Sequence, residues 1–168
     1  MKPLVSIIMG STSDYEVMEK AAKFLDEQDI PFEINALSAH RTLEQVIDFA
    51  SNAEKRGVRV IIAGAGMAAA LPGVIAAKTI LPVIGVPIKS SFDGMDAALS
   101  MIQMPPGIPV ATVAVNGGMN AAVLAMEILS LCDNQIKDKM QTYKSSLSNK
   151  IVKANEELKT KQFKNRVC

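Results

Sequence analysis

The stretch LVSIIM, Leu4 to Met9, is a short and almost continuous apolar run, and Gly10 and a polar segment follow it directly. An apolar run of this length that ends at a glycine is typical of a strand buried on both faces. Strands of that kind occur in parallel sheets, because helices cover both sides of such sheets. The beginning of the chain therefore predicts a layered α/β domain.

Four more short apolar segments follow, and longer amphipathic segments separate them. We predict strands at 4–9, 32–37, 58–63, 82–86 and 108–115, and helices at 14–28, 42–55, 68–79, 94–101 and 120–131. This alternation indicates a three-layer α/β/α, flavodoxin-like domain with a doubly wound parallel sheet of five strands. Ligands of such domains bind beyond the carboxyl ends of the strands, so we expect the chemistry in the loops that follow them.

The segment after residue 133 carries a single apolar stripe. Its members recur at steps of three and four residues from Ile136 to Leu158, which predicts one long helix over about 134–165. The stripe is longer than one small domain can cover, so we expect it to contact another subunit; packing back onto its own sheet is the alternative. We treat 1–168 as one domain, with an α/β core at 1–131 and this C-terminal helix.

Composition and charge narrow the class of protein. The 168 residues are 49% hydrophobic and carry a net charge of +1, which gives no global attraction to nucleic acid or to a membrane. The segment 133–168 holds nine Lys or Arg against four Asp or Glu, which we interpret as a solvated helix face rather than a site for an acidic partner. We see no signal peptide, and the two cysteines lie far apart, so we expect a cytoplasmic protein.

The loop after the first predicted strand is rich in hydroxyl groups. It reads Gly10-Ser11-Thr12-Ser13-Asp14 and leads into a helix, whose free amides attract anions such as phosphate. Asp14 offers an acceptor for sugar hydroxyls. Ordinary helix capping accounts for the same residues equally well, because Ser, Thr and Asp are preferred N-cap residues.

The loop after the second predicted strand contains His40, the one histidine of the chain. It lies in the run Ser38-Ala39-His40-Arg41-Thr42. An imidazole both gives and takes a proton near neutral pH, and the rigid guanidinium of Arg41 suits a phosphate. A structural histidine is the alternative, but the position after a strand and beside a cation favours function.

The loop after the third predicted strand, 64–73, consists mostly of small residues. These allow a planar ligand to approach the backbone amides, although close helix packing explains them too. The sequence is not a dinucleotide-binding fingerprint, because a third glycine is absent at the required spacing. In the next loop, Lys89 and two serines are further candidates for contact with an anion, and Lys89 is equally typical of a surface lysine.

Taken in order and at their spacing, these loops resemble those of one family. The matching segments are Gly10-Ser11-x-Ser13-Asp14, Ser38-Ala39-His40-Arg41-Thr42, Gly64-Ala65-Gly66 with Leu71-Pro72-Gly73, and Gln103-Met104-Pro105-x-Gly107-Ile108-Pro109-Val110. The family is that of the small purine-biosynthesis enzymes PurE, the N5-carboxyaminoimidazole ribonucleotide mutases. The resemblance covers about residues 4–131.

The resemblance implies a complete set of functional expectations. The substrate is N5-carboxyaminoimidazole ribonucleotide, whose carboxylate moves to ring carbon by decarboxylation and recarboxylation without a metal or organic cofactor. His40 is the general acid/base. A homo-octamer is implied, and a functional link to the ATP-dependent enzyme that makes the N-carboxylated substrate is a further expectation. The substrate-binding residues are expected to be Ser11, Ser13, Asp14, Ser38, Arg41, Gly64, Ala65, Gly66 and Leu71.

Some features leave alternatives open. Ala70 occupies the position before Leu-Pro-Gly where the mutases usually carry a histidine, and a carboxylase type that uses carbon dioxide directly also lacks that histidine. Arg41 and the intact Leu71-Pro72-Gly73 favour the mutase. A flavodoxin-like flavin-binding or receiver module is the alternative of another class. It is disfavoured because the chain has no Trp, and because Asp14 is the one acidic residue that we place at a strand end.

Overall fold

A computed structural model describes residues 1–167, and its centre is a five-stranded sheet in the order β2-β1-β3-β4-β5. Every neighbouring pair is parallel. This confirms the flavodoxin-like, doubly wound fold. The strands are β1 Val5–Met9, β2 Phe32–Ala36, β3 Val60–Ala65, β4 Val83–Pro87 and β5 Ala111–Thr112.

The fifth strand is much shorter than the eight residues predicted for it. Only Ala111 and Thr112 pair with β4, opposite Ile84 and Gly85. β5 lies at the edge of the sheet, and Pro109 just before it has no backbone N–H to donate. The apolar pattern of 108–115 therefore marked a segment that follows the sheet edge rather than a full strand.

Seven α-helices surround the sheet within residues 1–167. The helices predicted at 14–28, 94–101 and 120–131 begin and end within two residues of the predicted positions, and the one predicted at 68–79 ends three residues early. The helix predicted at 42–55 is two helices that meet at Asn52. The Asn52 side-chain amide donates to the Asp48 carbonyl oxygen at 3.1 Å, which closes the first of them. The helices are α1 Tyr15–Glu27, α2 Leu43–Ser51, α3 Ala53–Arg56, α4 Ala70–Ala76, α5 Met95–Ile102, α6 Gly118–Ser130 and α7 Asn134–Lys159.

The helices form two layers because successive strand residues point to opposite faces. One core joins Val5, Ile7 and Met9 of β1 to α1, α6 and the start of α7. The other core joins Ile8 of β1 to α2, α3, α4 and α5. The central strands are buried along their whole length, as a sheet covered on both faces requires.

The strand order decides which loops meet. β1 lies between β2 and β3, and the last residue of β1, Met9, is level with Ala36 on one side and Gly64 on the other. The chain therefore leaves β1, β2 and β3 side by side at one edge of the sheet. The three loops that we predicted to carry the chemistry come together there.

Helix α7 consists of a packed half and an exposed half. Ile136 and Met140 are buried, and the Tyr143 ring meets Phe24 of α1 edge to face with 5.0 Å between centroids. From Leu147 to the end of the helix every residue is exposed. The helix ends at Lys159, six residues before the predicted end. The apolar stripe thus packs on its own domain over its first half only.

In residues 1–167, we find no helix that combines the length and the hydropathy needed to cross a bilayer.

Candidate active site

The loops after β1, β2 and β3 enclose a cavity of about 490 Å³. This lies within the range of about 300–1,000 Å³ that is usual for small-molecule sites. Eight of the nine predicted substrate-binding residues line it together with His40. The lining residues are Gly10, Ser11, Ser13, Asp14, Ser38, Ala39, His40, Arg41, Ala65, Gly66, Met67, Ala68, Ala69, Ala70, Leu71 and Ser90.

A short 3-10 turn, Thr12–Asp14, forms the wall after β1. The Ser11 hydroxyl accepts a hydrogen bond from the Ser13 amide at 3.3 Å and so caps this turn. Burial raises the pKa of the Asp14 carboxyl above its ordinary value, although the hydrogen bonds that the carboxyl accepts from the Ser13 hydroxyl and from the Ser11 backbone oppose the shift. The capping interpretation is thus confirmed for Ser11, whereas Asp14, at the N-cap of α1, forms no side-chain capping bond. Both residues line the cavity.

A tight turn holds His40 in the wall after β2. The Thr42 hydroxyl accepts from the Ser38 amide at 2.9 Å, and the Arg41 amide donates to the Ser38 carbonyl oxygen at 3.2 Å. The turn leaves the His40 side chain exposed at the cavity. Within residues 1–167 no side chain or carbonyl group forms a hydrogen bond with the imidazole, so either ring nitrogen is available for a ligand.

Arg41 connects two of the loops. Its Nη2 donates to the Gly10 carbonyl oxygen at 3.4 Å, and its Nε lies 3.4 Å from the Ser38 hydroxyl oxygen. Both contacts are long, so the guanidinium retains donor capacity for a ligand. An anion in the cavity would therefore meet one fixed cation at the boundary between the β1 and β2 loops.

The wall after β3 contains two left-handed residues that are not glycine. Met67 has φ of 55° and Ala69 has φ of 43°. The Ala69 amide donates to the Gly66 carbonyl oxygen at 3.0 Å, and the Ile88 amide donates to that of Ala65 at 2.9 Å, which fixes both ends of this wall. α4 therefore begins at residue 70, two residues later than predicted.

Gly64 is the predicted binding residue that does not line the cavity. It lies inside β3, where its carbonyl oxygen accepts from the Gly10 amide at 3.2 Å. A methyl group built on Gly64 would lie 2.5 Å from the Met18 sulfur. The glycine thus lets α1 approach the sheet closely, and its carbonyl oxygen holds the backbone of Gly10, which lines the cavity.

Sequence reasoning did not single out Met67, Ala68 and Ala69 as cavity residues, whereas Ser90, one of the two serines considered for contact with an anion, does line the cavity. The signal for the first three was available, because they continue the small-residue loop that begins at Gly64. Lys89, considered as an anion contact, lies outside the cavity lining and pairs with Asp93 at 2.8 Å. In residues 1–167 no three His, Cys, Asp or Glu side chains lie close enough to hold a metal ion.

The cavity collects groups that suit a phosphorylated sugar and a proton transfer. Arg41 and the hydroxyls of Ser11 and Ser13 can bind a phosphate, Asp14 can accept from sugar hydroxyls, and His40 can move a proton. Its position at the carboxyl ends of adjacent parallel strands is the usual ligand position of this fold. Fold and site together define a flavodoxin-like α/β protein with a cavity whose lining residues suit an anion.

Comparison with known proteins identifies the family. The family described as AIRC, AIR carboxylase, matches residues 4–150. The chain belongs to this AIR carboxylase family, as the resemblance to PurE predicted.

Named relatives are similar over nearly all of the chain. The N5-carboxyaminoimidazole ribonucleotide mutase of Pyrococcus horikoshii is 55% identical, over 89% of this chain and 85% of that protein. The phosphoribosylaminoimidazole carboxylase of Saccharomyces cerevisiae is 52% identical, over 85% of this chain but 25% of that protein. The crystal structure of Treponema denticola PurE has a TM-score of 0.85 at 37% identity, and the match covers 94% of this chain and 99% of that one.

Proposed function

We propose that this chain converts N5-carboxyaminoimidazole ribonucleotide to 4-carboxyaminoimidazole ribonucleotide in purine biosynthesis, with His40 as general acid/base. The observation that carries the proposal is the position of the one histidine beside Arg41, in a cavity built from the loops shared with the family. Curated relatives with the mutase name and 55% and 48% identity support it.

The reaction needs one proton to move while one carboxylate moves in the opposite direction. The bond between the exocyclic nitrogen and the carboxyl carbon breaks, the electron pair stays on nitrogen, and the nitrogen takes a proton from the His40 imidazolium. Carbon dioxide is released into the cavity. Ring carbon then attacks it, and the proton on that carbon returns to the neutral imidazole. The histidine ends in its starting state, so one group that gives and then takes a proton suffices.

The remaining cavity residues have roles that match their chemistry. Arg41 with the hydroxyls of Ser11 and Ser13 binds the phosphate, and Asp14 binds the ribose hydroxyls. Ser38 orients the Arg41 guanidinium, to which its hydroxyl is adjacent. The loop of Ala65, Gly66 and Leu71 forms one wall against the carboxylate and carbon dioxide, while Gly64 acts through packing.

A direct carboxylase is the second candidate for the same cavity. The fungal relatives named phosphoribosylaminoimidazole carboxylase favour it, at 46% and 52% identity. In that reaction His40 would remove the ring-carbon proton after carbon dioxide adds. We place the mutase first because relatives with that name match both this chain and their own full length closely, as in Bacillus subtilis with 94% and 99% coverage.

The two candidates differ in what they consume. Purified protein is supplied with N5-carboxyaminoimidazole ribonucleotide in buffer without bicarbonate, and separately with aminoimidazole ribonucleotide and bicarbonate. The mutase converts N5-carboxyaminoimidazole ribonucleotide faster than this substrate decays unaided, and the rate does not depend on added bicarbonate. Activity on the second mixture alone would contradict the mutase and support the carboxylase.

The proposal extends to the ligand, the partners, the location and the oligomeric state of the enzyme. The small-molecule nucleotide is its principal ligand, and we expect no nucleic-acid or membrane partner at a net charge of +1. An ATP-dependent enzyme that carboxylates the amine would supply the substrate, and the cytoplasm is the expected location. We also propose a homo-oligomer, of octamer size by resemblance, with the exposed half of α7 as a subunit contact.

A further inference from the structure

Met67 is a large apolar side chain at the cavity that no part of the proposed chemistry uses. It lines the cavity, and it is 59% exposed. Its neighbours Ala68, Ala69 and Ala70 are short, so Met67 is the one long side chain between Gly66 and Leu71. An unbranched thioether with three rotatable side-chain bonds adapts readily to a surface laid against it.

The backbone holds Met67 in place at a cost. Its φ of 55° lies in the left-handed region, which glycine adopts freely and an L side chain does not. The following turn is fixed by the bond from the Ala69 amide to the Gly66 carbonyl oxygen, and Ala69 itself is buried. Strained residues of this kind cluster at active sites and persist where the surrounding structure fixes them.

The proposed reaction has a requirement that the polar groups of the cavity do not meet. Carbon dioxide is neutral and apolar once it has formed, so Arg41 and the serines hold it only weakly. His40 is exposed, which means that the cavity is open to water beside the reacting atoms. A cover of apolar atoms is needed to keep the gas against the ring and to exclude water.

We propose that the Met67 side chain folds across the mouth of the cavity when the nucleotide binds and retains the released carbon dioxide beside the ring carbon. This inference rests on the proposed function, because the retained molecule is its intermediate. The residue determines how much carboxylate completes the transfer rather than how the proton moves.

Retention is measured with substrate that carries isotopic carbon in its carboxylate group. For each variant, the label lost as carbon dioxide is divided by the label found in the product, after subtraction of the unaided decay. We expect Met67→Gly to raise this ratio several-fold, and Met67→Leu to restore most of the retention. Met95→Ala, which shortens a comparably exposed methionine outside the cavity lining, is the matched control. An unchanged ratio in Met67→Gly overturns the proposal.

A measurement of stability distinguishes loss of the Met67 side chain at the cavity from loss of the native fold. Glycine relieves the left-handed strain, so the unfolding midpoint of Met67→Gly should rise while retention falls. A lowered midpoint together with a raised ratio would assign the loss to misfolding and contradict the proposal.

Oxidation of methionines tests the same proposal without turnover of the substrate. Dilute hydrogen peroxide oxidises exposed methionines to sulfoxides, which mass spectrometry quantifies residue by residue. Aminoimidazole ribonucleotide should slow the oxidation of Met67 several-fold and leave Met95 unchanged, because only Met67 becomes covered. Equal rates with and without the nucleotide would overturn the inference. Protection of Met67 in a protein that does not convert the substrate would overturn the proposed function, and with it the retention of carbon dioxide, but would leave the closure of Met67 over a bound nucleotide in place.

Discussion

His40 reaches the cavity on a turn rather than on a helix, and the bonds of Ser38 and Thr42 fix that turn. This part of the site was predictable, because the residues that form the turn are neighbours in sequence. The contact from Arg41 to the Gly10 carbonyl oxygen was not predictable, because it joins residues 31 positions apart. Such contacts follow from strand order, which local patterns do not specify.

Replacement of His40 tests the proton transfer. His40→Asn should lower kcat by about 100-fold or more, the usual share of general acid/base catalysis. The unfolding midpoint should change little, since the side chain is exposed. Lys20→Asn, an exposed change on α1, is the control. Turnover by His40→Asn within tenfold of the native rate would exclude His40 as the proton carrier.

Replacement of Asp14 tests the effect of burial on its ionisation. Its folded-state pKa is raised above 3.8, so the ionised form is disfavoured by folding. The stabilising contribution of Asp14 is thus complete below its unfolded pKa and is lost as the pH rises through its folded pKa. Asp14→Asn should therefore be more stable than the native protein at pH 7, and the difference should shrink as the pH falls toward 3.8. Urea unfolding across this range measures it, and a difference independent of pH would contradict the burial effect.

At the scale of elements, the close approach of α6 to α1 depends on Gly118. A methyl group built there would overlap the Val17 carbonyl oxygen, which is part of the α1 backbone. At Gly64 the obstacle is the flexible end of Met18 instead. We expect Gly118→Ala to lower the free energy of unfolding by about 3 kcal/mol and Gly64→Ala by about 1 kcal/mol.

Chemical denaturation of the two alanine variants tests this order. Asn120→Ala on α6 is the control, because its side chain is exposed and its replacement should change stability by less than about 0.5 kcal/mol. Equal losses for Gly118→Ala and Gly64→Ala would show that backbone and side-chain obstacles yield equally.

The elements themselves were mostly predictable because each strand and helix has its own apolar period. The predictions failed where strand pairing, backbone conformation or a side-chain hydrogen bond, rather than the apolar period, sets the end of an element. β5 begins late because Pro109 precedes it, and it stays short because it has a partner on one side only; α4 starts late because Ala69 is left-handed. The division at Asn52 depends on a side-chain bond to Asp48 that an apolar pattern does not reveal.

At the scale of the whole molecule, the exposed half of α7 is the feature that one domain leaves uncovered. Ile151 is 73% exposed and Leu158 is 58% exposed. Leu147→Asp with Ile151→Asp should therefore shift sedimentation toward smaller species, while circular dichroism of the core is kept. Asn149→Asp adds a carboxylate on the same helix beside the stripe and should leave sedimentation unchanged. Unchanged sedimentation of the double variant would exclude this face as a subunit contact.

Because three separate loops form the cavity, a bound nucleotide also stabilises the fold. A ligand that contacts 10–14, 38–41 and 65–71 together can bind only after β1, β2 and β3 are in place. It therefore favours the folded chain over every partly folded one, by about 2.7 kcal/mol at a concentration of 100 times Kd. Heat resistance in the presence of candidate nucleotides thus becomes a rapid way to rank them, and it requires no assay of the reaction.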